Sequence, residues 1–293
     1  MSTTLLVVQI LNGLQLGVLL FLIAAGLTLV FGVMDFINLA HGVQYMLGAY
    51  LAVMFYAMTG NFLLALGGAL VAALAFGLLL EFAVFRHLYD RDHLDQVIAT
   101  FGIILFLNQG VKLVWGAAPL SLPVPDALSG SVLLMPGLLY PVWRLVIIGS
   151  GLAVGVVLYL LVAYTRVGML VRAGATHAPI VSALGVDIRR LFMIVFGFGT
   201  MLAAFAGVMI APILSVEPGM GDTILILAFV AALMIGLVDT LGRSFAVDIL
   251  RLVMAPSPAR TVGPAIASML IYLLMALVLY FRPTGLFPAR GRS

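Results

Sequence analysis

The sequence predicts an all-α polytopic membrane protein, a bundle of about eight hydrophobic spans in a single transmembrane domain, residues 1–293. Of the 293 residues, 64% are hydrophobic and only 9% are charged, and the mean hydropathy is +1.27. So little polar surface cannot cover a soluble globule, whereas long apolar runs are stable in hydrocarbon. The chain has no cysteine, which excludes disulfides and thiolate chemistry.

Each predicted span is an apolar run of about twenty residues, the length that crosses the hydrocarbon core of a bilayer. The second run is short and follows a polar stretch, so we expect a broken or partly buried helix there. The connections are too brief for a soluble domain, so any chemistry lies in the membrane or comes from partners. The predicted spans are 5–31, 43–59, 62–85, 95–115, 142–164, 191–214, 223–241 and 263–281.

Basic residues predict the orientation of the spans, because lysine and arginine accumulate on cytoplasmic loops. Arg86 and Arg91 mark one such loop, and four arginines in 165–190 mark another, two spans later. The segment 32–42 is then cytoplasmic, while the N-terminus and the loop 116–141 are outside. This loop bias also accounts for the net charge of +3, and no loop is basic enough to follow nucleic-acid phosphates.

The cytoplasmic segment 165–190 contains a predicted amphipathic piece. Pro179 can open a helical turn, because its missing N–H costs nothing at that position. Ile180, Val181 and Leu184 would then form one apolar face, and Gly185 can end the turn in a left-handed conformation. Such a helix suits a peripheral partner protein, or it lies on the lipid surface; composition leaves both interpretations open.

No catalytic or metal-binding constellation is visible, so we expect no enzyme activity, no cofactor and no metal. The four histidines do not have the spacing of a zinc site, and there is no phosphate-binding loop. Few ionisable residues might lie inside a membrane helix; we single out Glu81, Lys112 and Asp239, and all three are near predicted helix ends. A proton or ion relay would need such groups at the midplane of the membrane, which disfavours a secondary transporter.

Several separated stretches, in order, resemble the permease subunits of branched-chain amino acid ABC transporters, and the first of the two permease types in particular. Near the N-terminus the chain reads GLTLVFGVMDFINLAHG, followed by MLGAY. The cytoplasmic segment reads RVGMLVRAG and then ALGV. Later stretches are LAAFAGVMIAPI and the closing FRPTGLF. The likeness covers nearly the whole chain.

The resemblance implies one permease subunit of an ATP-driven importer for branched-chain or other hydrophobic amino acids in the bacterial inner membrane. It implies a second permease subunit, two cytoplasmic ATPase subunits, a periplasmic substrate-binding protein and surrounding lipid as partners. An ATP-independent channel or facilitator for urea or amides is the alternative. The residues that would dock on an ATPase are Arg172, Ala173, Pro179, Ala183, Leu184 and Gly185.

The resemblance also suggests a role for the first polar cluster of the chain, which contains Asn38, His41, Gly42 and Gln44. These residues lie where one helix ends and the next begins. Freed backbone groups at such a break are tolerated in a membrane only when protein buries them or a watery cavity receives them. We expect Asn38 and His41 to satisfy the break near the inner mouth of a pathway; alternatively, they only cap helix ends.

One departure from the family pattern lies near residues 229–232. Family members carry a glycine-rich turn and most of another helix after an Ala-Phe pair, whereas here Ala228-Phe229 runs straight into VAALMIGLVDTLGR. The alternation of basic loops fails at the same place, since it would put the C-terminal arginines outside. Both observations predict an internal deletion relative to the family.

Overall fold

The computed structural model describes residues 3–228, apart from the side chains of residues 3, 176–179 and 227. Eight α-helices account for most of this part, which confirms the all-α class. The predicted spans 223–241 (beyond residue 228) and 263–281, and the predicted deletion near 229–232, lie outside the described residues. The helices are α1 (Thr3–Met34), α2 (His41–Thr59), α3 (Phe62–Ala83), α4 (His93–Trp115), α5 (Val142–Tyr164), α6 (Arg166–Ala183), α7 (Ile188–Ile210) and α8 (Met220–Ala228).

Five helical segments are long and apolar enough to cross a membrane, so the described part already has the composition of a multi-pass protein. These segments agree with five of the predicted spans. The apolar runs therefore located the membrane helices, and α5 has the predicted bounds 142–164. They are Thr4–Met34, Phe62–His87, His93–Trp115, Val142–Tyr164 and Ile188–Ile210.

The second predicted span corresponds to α2, which lies inside the protein. Every residue from His41 to Tyr50 is buried. The helix packs against α3 and α7 and also contacts α4. A helix enclosed by other helices can carry more polar residues than one that faces lipid, which explains why its sequence was the least apolar of the early spans.

Loop contacts bring together segments that were predicted to share a side of the membrane. On one side the backbones of Leu120 and Val216 pair as an antiparallel bridge, so the loops after α4 and after α7 meet. On the other side the ring of Phe36, just after α1, contacts that of Phe85, just after α3. The first pair belongs to loops expected outside, and the second to segments expected in the cytoplasm.

The only strands of the described residues form a small hairpin in the loop between α4 and α5, which the sequence did not predict. Strand β1 (Ser131–Met135) pairs antiparallel with β2 (Leu138–Pro141), with an irregularity between Leu133 and Met135. Gly137 has a φ of 83° in the connection, a conformation that favours glycine. Two short strands do not change the all-α class.

The described chain falls into two compact units. One contains the start of α1 with Ser129–Ile148, where the Tyr140 hydroxyl and Arg144 both donate to Oδ1 of Asn12, at 3.0 Å and 2.6 Å. The other contains Leu22–Leu128 with Gly149–Ile226, and it holds every candidate site residue described below.

Small residues allow α2 and α7 to approach at backbone distance. A Cβ built on Gly48 would lie 2.6 Å from the carbonyl oxygen of Ala204 and 2.7 Å from its Cβ. Gly207 of α7 meets the backbone of Tyr45 in the same way. Without a hydrophobic driving force between helices in lipid, such close packing is a main source of association energy.

The segment after α5 differs from the prediction. Helix α6 is 18 residues long and begins at Arg166, so Pro179 lies inside the helix and does not open it. Because proline lacks an N–H, the carbonyl of Ala175 loses its usual helical donor. The predicted stop at Gly185 is confirmed: the helix ends at Ala183 and Gly185 has a φ of 87°.

The helix contact at Gly48 predicts a sharp difference between two identical substitutions. Gly48→Ala should lower the thermal stability of the purified full-length chain, since overpacking of a close contact costs about 1–3 kcal/mol. Gly67→Ala in α3, where a Cβ meets nothing within 4 Å, should leave stability equal or raise it by up to about 1 kcal/mol. Equal melting temperatures for the two variants would contradict this packing.

Candidate functional site

The break between α1 and α2 covers residues 35–40. Helix α1 ends at Met34, and Asp35 follows with a φ of 51° while its N–H still bonds to the carbonyl of Phe31. Aspartate enters this left-handed region more readily than most residues, so it can end a helix as glycine does. Asp35 therefore turns the chain out of α1.

Gln96, which the sequence analysis did not single out, satisfies the backbone at the break. Its Oε1 accepts the N–H of Ile37 at 3.1 Å. Its Nε2 donates to the carbonyls of Leu88 and Arg91, at 3.2 Å and 3.1 Å. One buried amide thus ties the break to the loop between α3 and α4. The available signal was an amide side chain in the first turn of a predicted span.

His41 is fully buried, and its bond is to the middle of another helix. Its Nε2 donates to the carbonyl of Ile23 in α1 at 3.1 Å. The N-cap residue of α2 is Ala40, and no side chain caps it. The simple capping alternative for Asn38 and His41 is therefore wrong for the start of α2, and His41 cross-links two helices.

Asn38 and Gln44 are brought to the same region but stay without hydrogen-bond partners among the described residues. Both are 1% exposed, and neither their oxygen nor their nitrogen side-chain atoms have a partner there. The Nδ1 atom of His41 is in the same condition. Buried polar atoms without partners are costly, so this cluster is a place where ordered water or a partner group is expected.

Gly42 has a role of its own at the break. A Cβ there would lie 2.9 Å from the Cβ of Leu225 and would also meet the carbonyl oxygen of Gly221. Gly221 in turn packs onto the backbone of Gly42 and Val43. The start of α8 therefore approaches the start of α2 at backbone distance, which only glycine permits.

An aromatic cluster surrounds the break on the predicted cytoplasmic side. Phe36 packs on Phe85 with ring centroids 5.2 Å apart, and Phe85 packs on Phe196 of α7 at 4.8 Å. Tyr89 contacts both Phe36 and Phe192, at 5.6 Å and 5.4 Å. These contacts join the break, the loop between α3 and α4, and the first two turns of α7 into one packed region.

The second candidate region, α6, has one packed and one open face among its described side chains. Val171 and Val181 are each 7% exposed, and Gly174 lies against Leu191 of α7. The opposite face is open, and it carries Ile180, which is 57% exposed. The predicted apolar face was therefore only partly right, because Val181 points to the bundle. Five of the six candidates for ATPase docking lie on the open side or in the turn: Arg172, Ala173, Ala183, Leu184 and Gly185.

Both ends of α6 are fixed. Thr165 caps the N-terminus by accepting the N–H of Gly168 at 3.1 Å. Arg172 donates to the carbonyl of Val162 at the end of α5, so this candidate residue also contacts its own chain. After Gly185, Asp187 caps α7 by accepting the N–H of Arg190 at 3.1 Å. The helix is thus held between the end of α5 and the start of α7.

Comparison with known proteins identifies relatives over nearly the whole chain. Residues 9–284 match the family model of the permease component of branched-chain amino acid transport systems. The high-affinity branched-chain amino acid transport system permease protein LivH of Escherichia coli K12 is 30% identical over 95% of this chain and 94% of its own. BraD of Pseudomonas aeruginosa, described in the same words, shows the same identity and coverage. No solved structure matches.

The alignment with LivH also bears on the predicted deletion. It runs over 298 residues, more than the 293 of the whole chain, although it covers only 95% of this chain. Within the aligned region the relative therefore has residues that are missing from this chain, as a deletion requires. Its predicted position near 229–232 stays a prediction.

The bonds of Gln96 predict a large effect of one substitution in α4. Gln96→Leu should destabilise the full-length chain by about 2–4 kcal/mol, because it removes the hydrogen bonds to Ile37, His93, Leu88 and Arg91 and leaves the partly buried N–H of Ile37 unpaired. Gln109→Leu, the same change at an exposed position of the same helix, is the matched control. Thermal unfolding in detergent measures both. A Gln96 variant as stable as the Gln109 variant would contradict the assigned role.

Proposed function

Because this chain belongs to the family of permease components of branched-chain amino acid transport systems, we propose that it is one membrane subunit of an ATP-driven importer. Its partners are a second permease subunit, two cytoplasmic ATPase subunits and a periplasmic substrate-binding protein. The cargo is a branched-chain or another hydrophobic amino acid, as the names of the relatives suggest. The location is the inner membrane of a bacterium, and hydrolysis of ATP occurs on the partner subunits.

The observation that carries the proposal is the exposed apolar surface of α6 on the predicted cytoplasmic side. Ile180 is 57% exposed and Leu184 is 79% exposed at the C-terminal end of the helix. Large apolar side chains grouped next to a helix stop are typical of a protein contact. The turn at Gly185 presents this end of α6 away from the packed face that holds Val181. An ATPase subunit is the partner that fits this surface in a transport system of this family.

A stand-alone facilitator, the other class, gains nothing from such a surface, since it needs no cytoplasmic motor. A helix that lies on lipid is the remaining alternative for α6. It would bury Ile180 and Leu184 in the interface between headgroups and acyl chains. An acidic substitution at Leu184 would disrupt ATPase binding in the first case and the contact with lipid in the second.

The cluster of Asn38, His41 and Gln44 supports a pathway role for the break. All three side chains are buried, and unpaired amide atoms in this position are retained at a cost. In the described conformation they are closed off from solvent. The proposal is that rearrangement of the break, next to the inner mouth, lets these groups meet water during transport.

Uptake of labelled leucine into proteoliposomes tests the proposed function as a whole. The vesicles hold this chain with its neighbouring permease, the ATPases and the binding protein. Uptake is expected only when both ATP and the binding protein are present. Uptake without ATP would support the facilitator instead, and uptake of urea or an amide alone would reject the amino-acid cargo.

Leu184→Asp tests the docking surface. It should reduce co-purification of the ATPase subunits strongly, because a buried unpaired carboxylate is costly in an apolar contact. Leu94→Asp, at a residue 69% exposed at the start of α4 on the same side, is the matched control. Lost co-purification of Leu184→Asp alone supports docking. Normal ATPase recovery for both variants, with weaker membrane association of α6, would favour the lipid alternative.

A further inference from the structure

A cavity of about 570 Å³, lined by both charged and apolar side chains, lies on the predicted cytoplasmic side, between the end of α3 with its following loop and the start of α7. Its size is in the range of small-molecule sites. It is separate from the exposed face of α6 and from the buried cluster at the break. Its charged lining is mixed: Arg86, Arg189 and Arg190 are basic, and Glu81 and Asp90 are acidic.

Arg86 and Arg189 can each bind an anionic group of a ligand. Arg190 already pairs with Asp187 at 2.9 Å. Arg86 stacks on the ring of Phe82, with its Cζ 3.8 Å from the ring centroid. Stacking fixes the guanidinium plane and leaves its N–H edge for an acceptor. Neither Arg86 nor Arg189 has an ion pair within the part of the chain that the structure describes.

The acidic side of the cavity is ordered by one hydrogen bond. Glu81 is only 4% exposed, and the Tyr89 hydroxyl donates to its Oε1 at 3.0 Å. Burial raises the pKa of Tyr89, and the neighbouring Glu81 raises it further, so the hydroxyl keeps its proton and remains the donor. The Glu81 carboxylate also interacts electrostatically with Arg86 and His87, and Asp90 adds an exposed carboxylate to the same lining.

The rest of the lining is apolar and lies where membrane helices reach the interface. Phe82 is 54% exposed at the end of the third span. Ile188, Phe192 and Met193 line the cavity from the first turns of α7. A ligand in this cavity therefore meets charges of both signs on one part and hydrocarbon on another.

We propose that this cavity binds the headgroup of a zwitterionic aminophospholipid of the cytoplasmic leaflet, such as phosphatidylethanolamine. The phosphate lies against Arg86 and Arg189, where charge-assisted hydrogen bonds are strong. The ammonium group lies against Asp90 and the carboxylate of Glu81. The glycerol and acyl chains continue along Phe82 and Phe192 into the bilayer.

The mixed charge is what distinguishes this ligand from others. A purely anionic headgroup would satisfy the arginines but would place its negative charge beside two carboxylates. Inorganic phosphate would gain nothing from the apolar side of the cavity. A segment of a cytoplasmic protein is the competing occupant, and the experiment includes it.

The test uses the delipidated full-length chain, with bound lipids counted by native mass spectrometry and stability followed by thermal unfolding. The probes are phosphatidylethanolamine, phosphatidylglycerol with the same acyl chains, and inorganic phosphate. We expect saturable binding of phosphatidylethanolamine, weaker binding of phosphatidylglycerol and no stabilisation by inorganic phosphate. The double variant Arg86→Gln and Arg189→Gln should weaken lipid binding by about tenfold or more.

Two further variants locate the contacts. Asp90→Asn should remove the preference for the ethanolamine headgroup while binding of both lipids persists. Arg91→Gln, at an exposed arginine of the same loop outside the cavity, should behave as the unchanged chain. The double variant Arg86→Lys and Arg189→Lys keeps the charge and should retain binding, which shows that the loss in the double glutamine variant is not a loss of folding.

Three results would overturn the proposal. The first is equal lipid binding by the glutamine pair and by Arg91→Gln. The second is a preference of the unchanged chain for phosphatidylglycerol. The third is loss of ATPase co-purification in the glutamine pair with lipid binding intact, which would assign the cavity to a protein contact.

Discussion

The described structure depends on hydrogen bonds that satisfy the backbone groups where the helix is broken between α1 and α2. Within hydrocarbon an unpaired N–H or carbonyl costs several kcal/mol, so a break between α1 and α2 requires partners from elsewhere in the chain. Gln96 supplies them by accepting from Ile37 and donating to the loop between α3 and α4. This fixes the first turn of α4 beside the break, and the aromatic rings of Phe36, Phe85 and Tyr89 close around it.

A second constraint follows from the break. Because α2 starts inside the bundle, it packs against other helices and not against lipid. Glycines allow the helix backbones to come close enough for this packing. Gly48 and Gly207 let α2 approach α7, and Gly42 and Gly221 let it approach α8. Polar side chains at the start of α2 are then enclosed by protein. This enclosure explains why Asn38 and Gln44 can be buried without contact with acyl chains.

Apolar runs predicted the long helices well, because a helix needs about twenty apolar residues to cross the hydrocarbon core, independent of the helices packed around it. They also predicted the place of the break, since polar residues interrupt two such runs. The partners at the break could not be predicted: the capping alternative for His41 failed, and Gln96 was missed, because the bonds of both depend on tertiary contacts. Pro179 was placed at a helix start on local chemistry, and an 18-residue α6 overrode that preference.

The packing also indicates how a push on α6 would reach the break. Helix α6 rests on α7, where Gly174 lies against Leu191, and Gly185 is followed almost at once by the first turn of α7. Helix α7 in turn packs along α2 and α3. Close glycine contacts transmit displacement rather than absorb it, because a packed interface has little room to deform. On the proposed function, an ATPase that moves the end of α6 would therefore act on the start of α2, where the unpaired amides of Asn38 and Gln44 lie.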